Sequence, residues 1–396
     1  MDSKDPVVIV GMARTPMGGF MGDLTGVEAP ELGATAIRAA LARAGLAPEA
    51  VEEVVMGCVL PAGLGQAPAR QAGLKGGLPL SAGATTVSKM CGSGMKAAML
   101  AHDLIAAGSA GIVVAGGMES MTNAPYLLPK ARQGMRMGHG QVMDHMFLDG
   151  LEDAYDKGRL MGSFAEDCAE AYQFTREAQD AFAIRSLTRA KEAIAAGRFK
   201  AEIAAVTVKQ GKVETVVDTD EQPGKAKPEK IPTLKPAFRK DGTVTAANAS
   251  SISDGAAALV LMRLSEAERR GLTPLARIAG HATHAQAPNL FATAPIGALG
   301  KLAEKTGWAL KDVDLFEINE AFAVVTMAAM RDLNLSDEKV NVNGGACALG
   351  HPIGASGARV MVTLLAALAE RGLDRGMASL CIGGGEATAI AVERIH

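Results

Sequence analysis

Short continuous apolar runs, each closed by glycines, alternate along this chain with longer stretches whose apolar residues recur at helical spacing. The alternation predicts buried strands interleaved with helices, and so an α/β protein whose helices cover the faces of open sheets. Val7-Val-Ile-Val10 is the first such strand, and Gly11 to Gly18 after it reads as a polar loop. That loop lacks the third glycine and the immediate helix of a dinucleotide-binding turn, and Gly63-Leu-Gly-Gln-Ala-Pro68 does not complete one. A Rossmann-type nucleotide enzyme is not expected.

Two parts of the pattern recur. Leu41 to Gly57 predicts a helix end, a glycine cap, a short turn and a strand, and Ala303 to Asn319 repeats that plan. Gly45 to Val51 and Gly307 to Val313 are equally spaced. Farther on, Gly92-Ser-Gly94, an apolar helix and Ile112-Val-Val-Ala-Gly-Gly117 are mirrored by Ala355-Ser-Gly357, another apolar helix and Leu380-Cys-Ile-Gly-Gly384. Two echoes in the same order predict a duplicated α/β unit. Met118 to Asn248 breaks the rhythm with Met- and Gly-rich irregular stretches, a charged helix near Thr175 to Ala196 and a lysine-rich run from Lys209 to Lys240. This segment is expected to be an inserted loop domain that covers a site.

Composition narrows the class. The 396 residues are 48% hydrophobic but only 4% aromatic, which predicts a large Ala-, Gly-, Val- and Met-rich interior spread over two or three domains. A formal net charge of −3 offers no general attraction for nucleic acid, so any polyanion must meet a local basic patch. The lysine-rich run suits a pyrophosphate-bearing ligand. No apolar run reaches membrane-spanning length, and Met1 to Val10 lacks the apolar core and cleavage site of an export signal. A cytoplasmic protein without a membrane partner is expected. Cys58, Cys91, Cys168, Cys347 and Cys381 are spaced too widely for a zinc site and make an odd count for a disulfide framework.

Two of these thiols stand beside glycine-rich turns, Cys91 in Lys89-Met-Cys-Gly-Ser-Gly94 and Cys381 in Ser379-Leu-Cys-Ile-Gly-Gly-Gly385. A cysteine that fills a core needs no bare backbone beside it, whereas one that admits a bulky thioester and holds its oxyanion does. Cys91 precedes an apolar helix, where dipole and free N–H groups are expected to lower its pKa and make it the nucleophile. His351, kept extended by Pro352 ahead of another helix start, is the candidate base that such a thiol needs. Cys381 ends a strand with the N–H of Gly383 beside it, which suits a second thiol base next to an oxyanion site. Asn319 closes the strand Asp314 to Ile318 and opens the helix from Glu320; it caps that helix or orients a water toward a thioester oxygen. Cys347, Cys58 and Cys168 are read as packing. The four candidates fall at strand ends or helix starts, where ligands gather in open α/β sheets.

At these residues the chain closely resembles the thiolase family, nearly end to end. The resemblance rests on Ala13-Arg-Thr-Pro16, Gly63-Leu-Gly-Gln-Ala-Pro-Ala-Arg-Gln71, Cys91-Gly-Ser-Gly-Met-Lys96, Asn248-Ala-Ser250 and Ser253-Asp-Gly-Ala-Ala-Ala258. It continues in Asn319-Glu-Ala-Phe322, Asn341-Val-Asn-Gly-Gly345, Gly350-His-Pro-Ile-Gly-Ala-Ser-Gly357 and Cys381-Ile-Gly-Gly-Gly385. It implies a five-layered α/β/α/β/α fold of two similar halves, residues 1–120 with 249–272 and residues 273–396. A loop domain over 121–248 would cover the coenzyme A site, in a homodimer or homotetramer.

The chemistry implied is a reversible condensation of two acetyl-CoA to acetoacetyl-CoA and coenzyme A. Cys91, deprotonated by His351, would form an acyl-enzyme; Cys381 would then take the α-proton of the second acetyl-CoA. A water held by Asn319 together with His351 would make one oxyanion hole, and the N–H groups of Cys91 and Gly383 the other. Matching positions imply a pantetheine tunnel of Ser250, Ala249, Phe238, Met161, Ala321 and Phe322, with Phe291 shaping the acyl pocket. No metal and no resident cofactor is implied, coenzyme A thioesters being substrates. The chain departs from the family pattern at Ser88, at Glu386-Ala387, at Leu160 beside Met161, and at Lys225, which stands one step beyond the usual arginine. Other readings are a 3-ketoacyl-CoA thiolase of longer chain preference, an acyl-CoA or lipid carrier with the same fold, and a decarboxylating ketoacyl synthase. The last relies on two histidines where this chain has Cys381 and Asn319.

Overall fold

The computed structural model describes residues 4–395, so Met1 to Ser3 of the stretch read for an export signal, and His396, lie outside the described residues. The first half runs β1 (Val7–Arg14), α1 (Ala29–Ala44), β2 (Glu53–Gly57), α2 (Pro68–Lys75), β3 (Gly83–Val87), α3 (Ser93–Ala106) and β4 (Ile112–Ser120). An intervening segment carries α4 (Met161–Tyr172) and α5 (Arg176–Ala195) before β5 (Ser253–Arg263) returns to the first half. The second half runs β6 (Ala276–Ala285), α6 (Ala294–Thr306), β7 (Leu315–Ile318), α7 (Ala323–Asp332), α8 (Ile353–Arg371), β8 (Arg375–Ile382) and β9 (Glu386–Glu393).

The strands order as β7-β8-β9-β6-β1-β5-β4-β2-β3, with Gly18–Gly19 added beside β5. The two halves are thus one hydrogen-bonded path, narrowed at its middle to the pairs Val8 with Arg277 and Ile9 with Ala276. Layers follow from which helix covers which face. Helices α1 and α2 cover the outer face of the first half, α3 and α8 lie between the halves, and α6 with α7 beside it covers the outer face of the second. This is the five-layered α/β arrangement.

The echoes in the sequence are echoes in space. Gly45 and Gly307 both take left-handed backbone at φ 66° and 72°, ending α1 and α6. Each is followed by a single 3-10 turn, Pro48–Ala50 or Leu310–Asp312, and then by β2 or β7. The charged helix also forms, its first turn capped where the Thr175 hydroxyl accepts from Ala178 N–H at 3.2 Å.

Two expectations fail for identifiable reasons. Gly11 to Arg14 is not loop but a continuation of β1, paired residue by residue with β5 as far as Arg14 and Ala257. A strand can hold Arg14 there because the insert brings it carboxylates: Asp220 at 2.7 Å and Glu202 at 2.9 Å, all with fully buried side chains. The expectation that no apolar run is long enough to span a membrane also fails, since α8 is long and apolar enough. Enclosed between two sheet faces, it is apolar over most of its surface, with the buried Arg359 paired to Glu317.

Helices α3 and α8 touch backbone to backbone. A Cβ on Gly94 would stand 2.7 Å from the Ala358 nitrogen, and one on Gly357 only 2.3 Å from the Met95 nitrogen. Gly300 in α6 has nothing within 4 Å of such an atom. Gly357→Ala is therefore expected to destabilise the protein by about 1–3 kcal/mol in urea unfolding through overpacking. Gly300→Ala is expected to be neutral or to stabilise by up to about 1 kcal/mol. Equal effects would contradict the close approach.

Candidate active site

The bare contact between α3 and α8 places the turns that precede them side by side. Cys91 stands just before α3, in a turn closed by Ser93, whose hydroxyl accepts from Lys89 N–H at 2.8 Å and donates to Met90 C=O at 2.6 Å. Met90 is held at φ 46°, a costly left-handed conformation that aims the next residue. His351 precedes α8, its N–H donating to Ser251 C=O and Ser253 Oγ, each at 3.2 Å.

Cys91, His351 and Gly383 meet on the wall of one cavity of about 650 Å³. Ser250, Ala249, Ala321 and Phe322 line the same cavity, as do Phe291 and, from the inserted segment, Met161 and Phe238. Cys381 and Asn319 are fully buried and stand behind the wall. Cys381 packs in an apolar cluster with Phe291, Phe322 and Ala249. The rings of Phe291 and Phe322 meet edge-on at 6.3 Å, and Phe164, which the sequence did not single out, meets Phe291 at 6.4 Å. The lysines between Lys209 and Lys240 do not line this cavity; Lys225 pairs with Glu221 and, at 3.5 Å, with Asp23. Glu386 ion-pairs with Lys89, linking the start of β9 to the turn that carries Cys91.

Asn319 is not a helix cap. Residues 320–322 are held out of the helix because Phe322, itself extended, bridges Ala249 and because the Ser250 N–H and hydroxyl both donate to Ala321 C=O. Helix α7 therefore begins only at Ala323. The Asn319 amide is oriented instead by Arg359, which lies 3.4 Å from its Oδ1 and ion-pairs with Glu317 at 2.9 Å. That leaves Nδ2 facing the His351 ring at 3.5 Å, at the outer limit of a direct hydrogen bond.

The histidine tautomer follows from Ser356, a residue sequence reasoning missed. The Ser356 hydroxyl donates to Pro352 C=O at 2.9 Å, so at 2.5 Å it accepts from His351 Nδ1–H. Nε2 then carries the lone pair. Also missed was Glu119, fully buried, whose carboxylate accepts from Val59, Leu60 and Gly354 N–H at 2.8–3.0 Å and so ties the α8 start to the loop after β2. Serine one turn into the helix after a histidine was a readable signal; Glu119 had none.

Electrostatics correct one more expectation. The Cys91 thiol is pushed up to about 11, mainly by burial, although the N–H groups of Gly383 and of Cys91 itself oppose the shift. Helix α3 begins at Ser93, so Cys91 lies outside its first turn, and desolvation outweighs the dipole. Burial and, next, the Arg359 charge hold His351 down near 3. Cys381 is pushed well above the ordinary thiol range by burial and then by the nearness of Cys91. At rest the site holds two neutral thiols and a neutral imidazole, not an ion pair. Alkylation of Cys91 by an uncharged reagent is thus expected to rise roughly tenfold per pH unit from about pH 6 to 9. A plateau already at acid pH would mean a preformed thiolate.

Comparison with known proteins places this arrangement. Residues 7–265 match the family model described as thiolase, N-terminal domain, and residues 272–394 the one described as thiolase, C-terminal domain. An acetyl-CoA acetyltransferase of Cupriavidus necator is 51% identical over 391 residues, 98% of this chain and 99% of the relative. Acetyl-CoA acetyltransferase 2 of Arabidopsis thaliana is 52% identical over 98% of this chain and 96% of its own length. The crystal structure of the Bacillus anthracis acetyl-CoA acetyltransferase superposes with a TM-score of 0.96 at 43% identity over the whole of both chains. With both parts of the family model matched in order, and about half of all residues shared with such relatives along the full length, the chain belongs to the thiolase family.

Proposed function

We propose that this protein is an acetyl-CoA acetyltransferase that joins two acetyl-CoA into acetoacetyl-CoA and coenzyme A, and runs the reverse thiolysis. The observation that carries the reading is the meeting of Cys91, His351 and Gly383 on one apolar cavity wall, with Cys381 packed behind it. The relatives named above support acetyl-CoA as the substrate.

In the first step the Cys91 sulfur attacks the thioester carbonyl while His351 Nε2 takes its proton, and coenzyme A leaves as the thiol. Donors aimed at the Cys91 sulfur are placed to hold an oxyanion that develops beside it, namely the N–H groups of Gly383 and Cys91. In the second step Cys381, ionised by releasing its own proton to solvent, takes the α-proton of another acetyl-CoA. Its thiolate is a strong base because its conjugate acid is weak, and acylation keeps Cys91 from ionising beside it. The enolate oxygen would meet His351 and a water held by Asn319. The carbanion then attacks the acyl group, and the Cys91 thiolate departs and takes up a proton from solvent to return to the resting thiol.

The pantetheine arm would run past Met161, Phe238, Ala249, Ser250, Ala321 and Phe322. The edge-on wall of Phe164, Phe291 and Phe322 around Cys381 favours short acyl groups over long ones. No resident cofactor or metal takes part in this scheme, and a cytoplasmic homodimer or homotetramer is the assembly proposed. Exposed Leu80, Tyr126, Leu128 and Met137 support an assembly that covers them.

Thiolysis rates across ketoacyl-CoA chain lengths test the reading. Acetoacetyl-CoA is expected to outrun its ten-carbon homologue by at least about tenfold in kcat/KM, and Phe291→Ala to narrow that ratio. A preference of the wild type for the ten-carbon substrate would make it a longer-chain 3-ketoacyl-CoA thiolase instead.

A further inference from the structure

At the end of α3 away from Cys91, three side chains converge that the reaction does not use. His102 and Asp103 occupy the last turns of the helix, and His281 reaches them from β6, opposite Ile390 of β9. Asp103 Oδ1 lies 3.1 Å from His102 Nδ1 and 2.9 Å from His281 Nε2. The two rings stand edge to face at 5.0 Å between centroids, and the three ligand atoms all lie within 4.8 Å of one another. Among the described residues this is the one such group of histidine, cysteine and carboxylate side chains.

We propose that His102, Asp103 and His281 form a site for a divalent transition-metal ion such as zinc. Tetrahedral coordination with bonds near 2.1 Å sets neighbouring ligand atoms about 3.4 Å apart, close to both contacts with Asp103. Two imidazoles and one carboxylate suit zinc, cobalt or nickel, not calcium or magnesium, which prefer oxygen ligands throughout. Local charge favours a cation as well. The C-terminal end of α3 carries partial negative charge, Asp103 adds to it, and the last turn holds no basic residue. His102 and His281 are partly sheltered while Asp103 is half exposed, so an ion would keep water in its remaining position. Lys305 opposes binding: its ammonium, bound to His281 C=O at 3.0 Å, places positive charge nearby.

The α3 helix spans 14 residues, about 20 Å at 1.5 Å per residue, so an ion here is far from the reacting thiols. It would clasp the helix that follows Cys91 to β6, the strand at the junction of the halves. The cysteine spacing that argued against a zinc site says nothing about these residues.

Titration of the full-length protein with zinc by calorimetry, and with cobalt by absorption, decides the matter. One equivalent of zinc is expected to bind in the micromolar range, at least about tenfold more weakly in His281→Gln and in Asp103→Asn, and more tightly in Lys305→Gln. Bound cobalt is expected to show d–d bands without thiolate charge transfer, which separates this site from Cys91 and Cys381. Asp103 is exposed enough that its variant should fold even if His281→Gln does not. No binding by the wild type, unchanged affinity in Asp103→Asn, or a cobalt spectrum dominated by thiolate charge transfer would each overturn the proposal.

Discussion

Backbone contact between α3 and α8 is the constraint on which the rest of this structure depends. Each helix follows a turn that carries a reactive side chain, and each contributes a glycine where the other passes. Without side chains at Gly94 and Gly357 the two helix starts come close enough for Cys91 and His351 to share one cavity wall. The duplicated α/β unit thus has a chemical use: two equivalent helices, packed as the central layer, bring two unlike residues together at their leading ends. The second half of the sheet then supplies Cys381 and Gly383 from the end of β8.

Enclosure has a second consequence. The site is dry enough that ionising either thiol is uphill, and His351 is kept neutral by burial and by Arg359. A preformed thiolate would be a better resting nucleophile, but it would also suppress ionisation of the other thiol. Neutral groups poised beside fixed N–H donors let one negative charge be used at Cys91 first and at Cys381 later. Ser356 fixes which imidazole nitrogen accepts a proton, and Arg359 fixes which side of the Asn319 amide faces it.

Much of this was legible in the chain because it is written in local signals. Gly45 and Gly307 mark helix ends by the left-handed backbone that glycine tolerates, and glycines beside Cys91 and Cys381 mark turns where backbone must approach a ligand. Features set by residues distant in sequence were not legible. Arg14 reads as a loop residue until Asp220, 206 positions away, is seen to neutralise it inside β1. The direction of the Cys91 shift depends on burial, which a helix start alone does not report. His281 meets Asp103 across 178 residues, and neither carries a motif.

The central claim is a division of labour between two thiols in one desolvated site, with Cys91 carrying the acyl group and Cys381 moving the proton. Incubating Cys381→Ala with acetyl-CoA labelled in its acetyl group tests it most directly. The account predicts that label accumulates on Cys91 toward one per chain while acetoacetyl-CoA formation falls by about a thousandfold, within the range a lost general base produces. Condensation at the wild-type rate in that variant would contradict it.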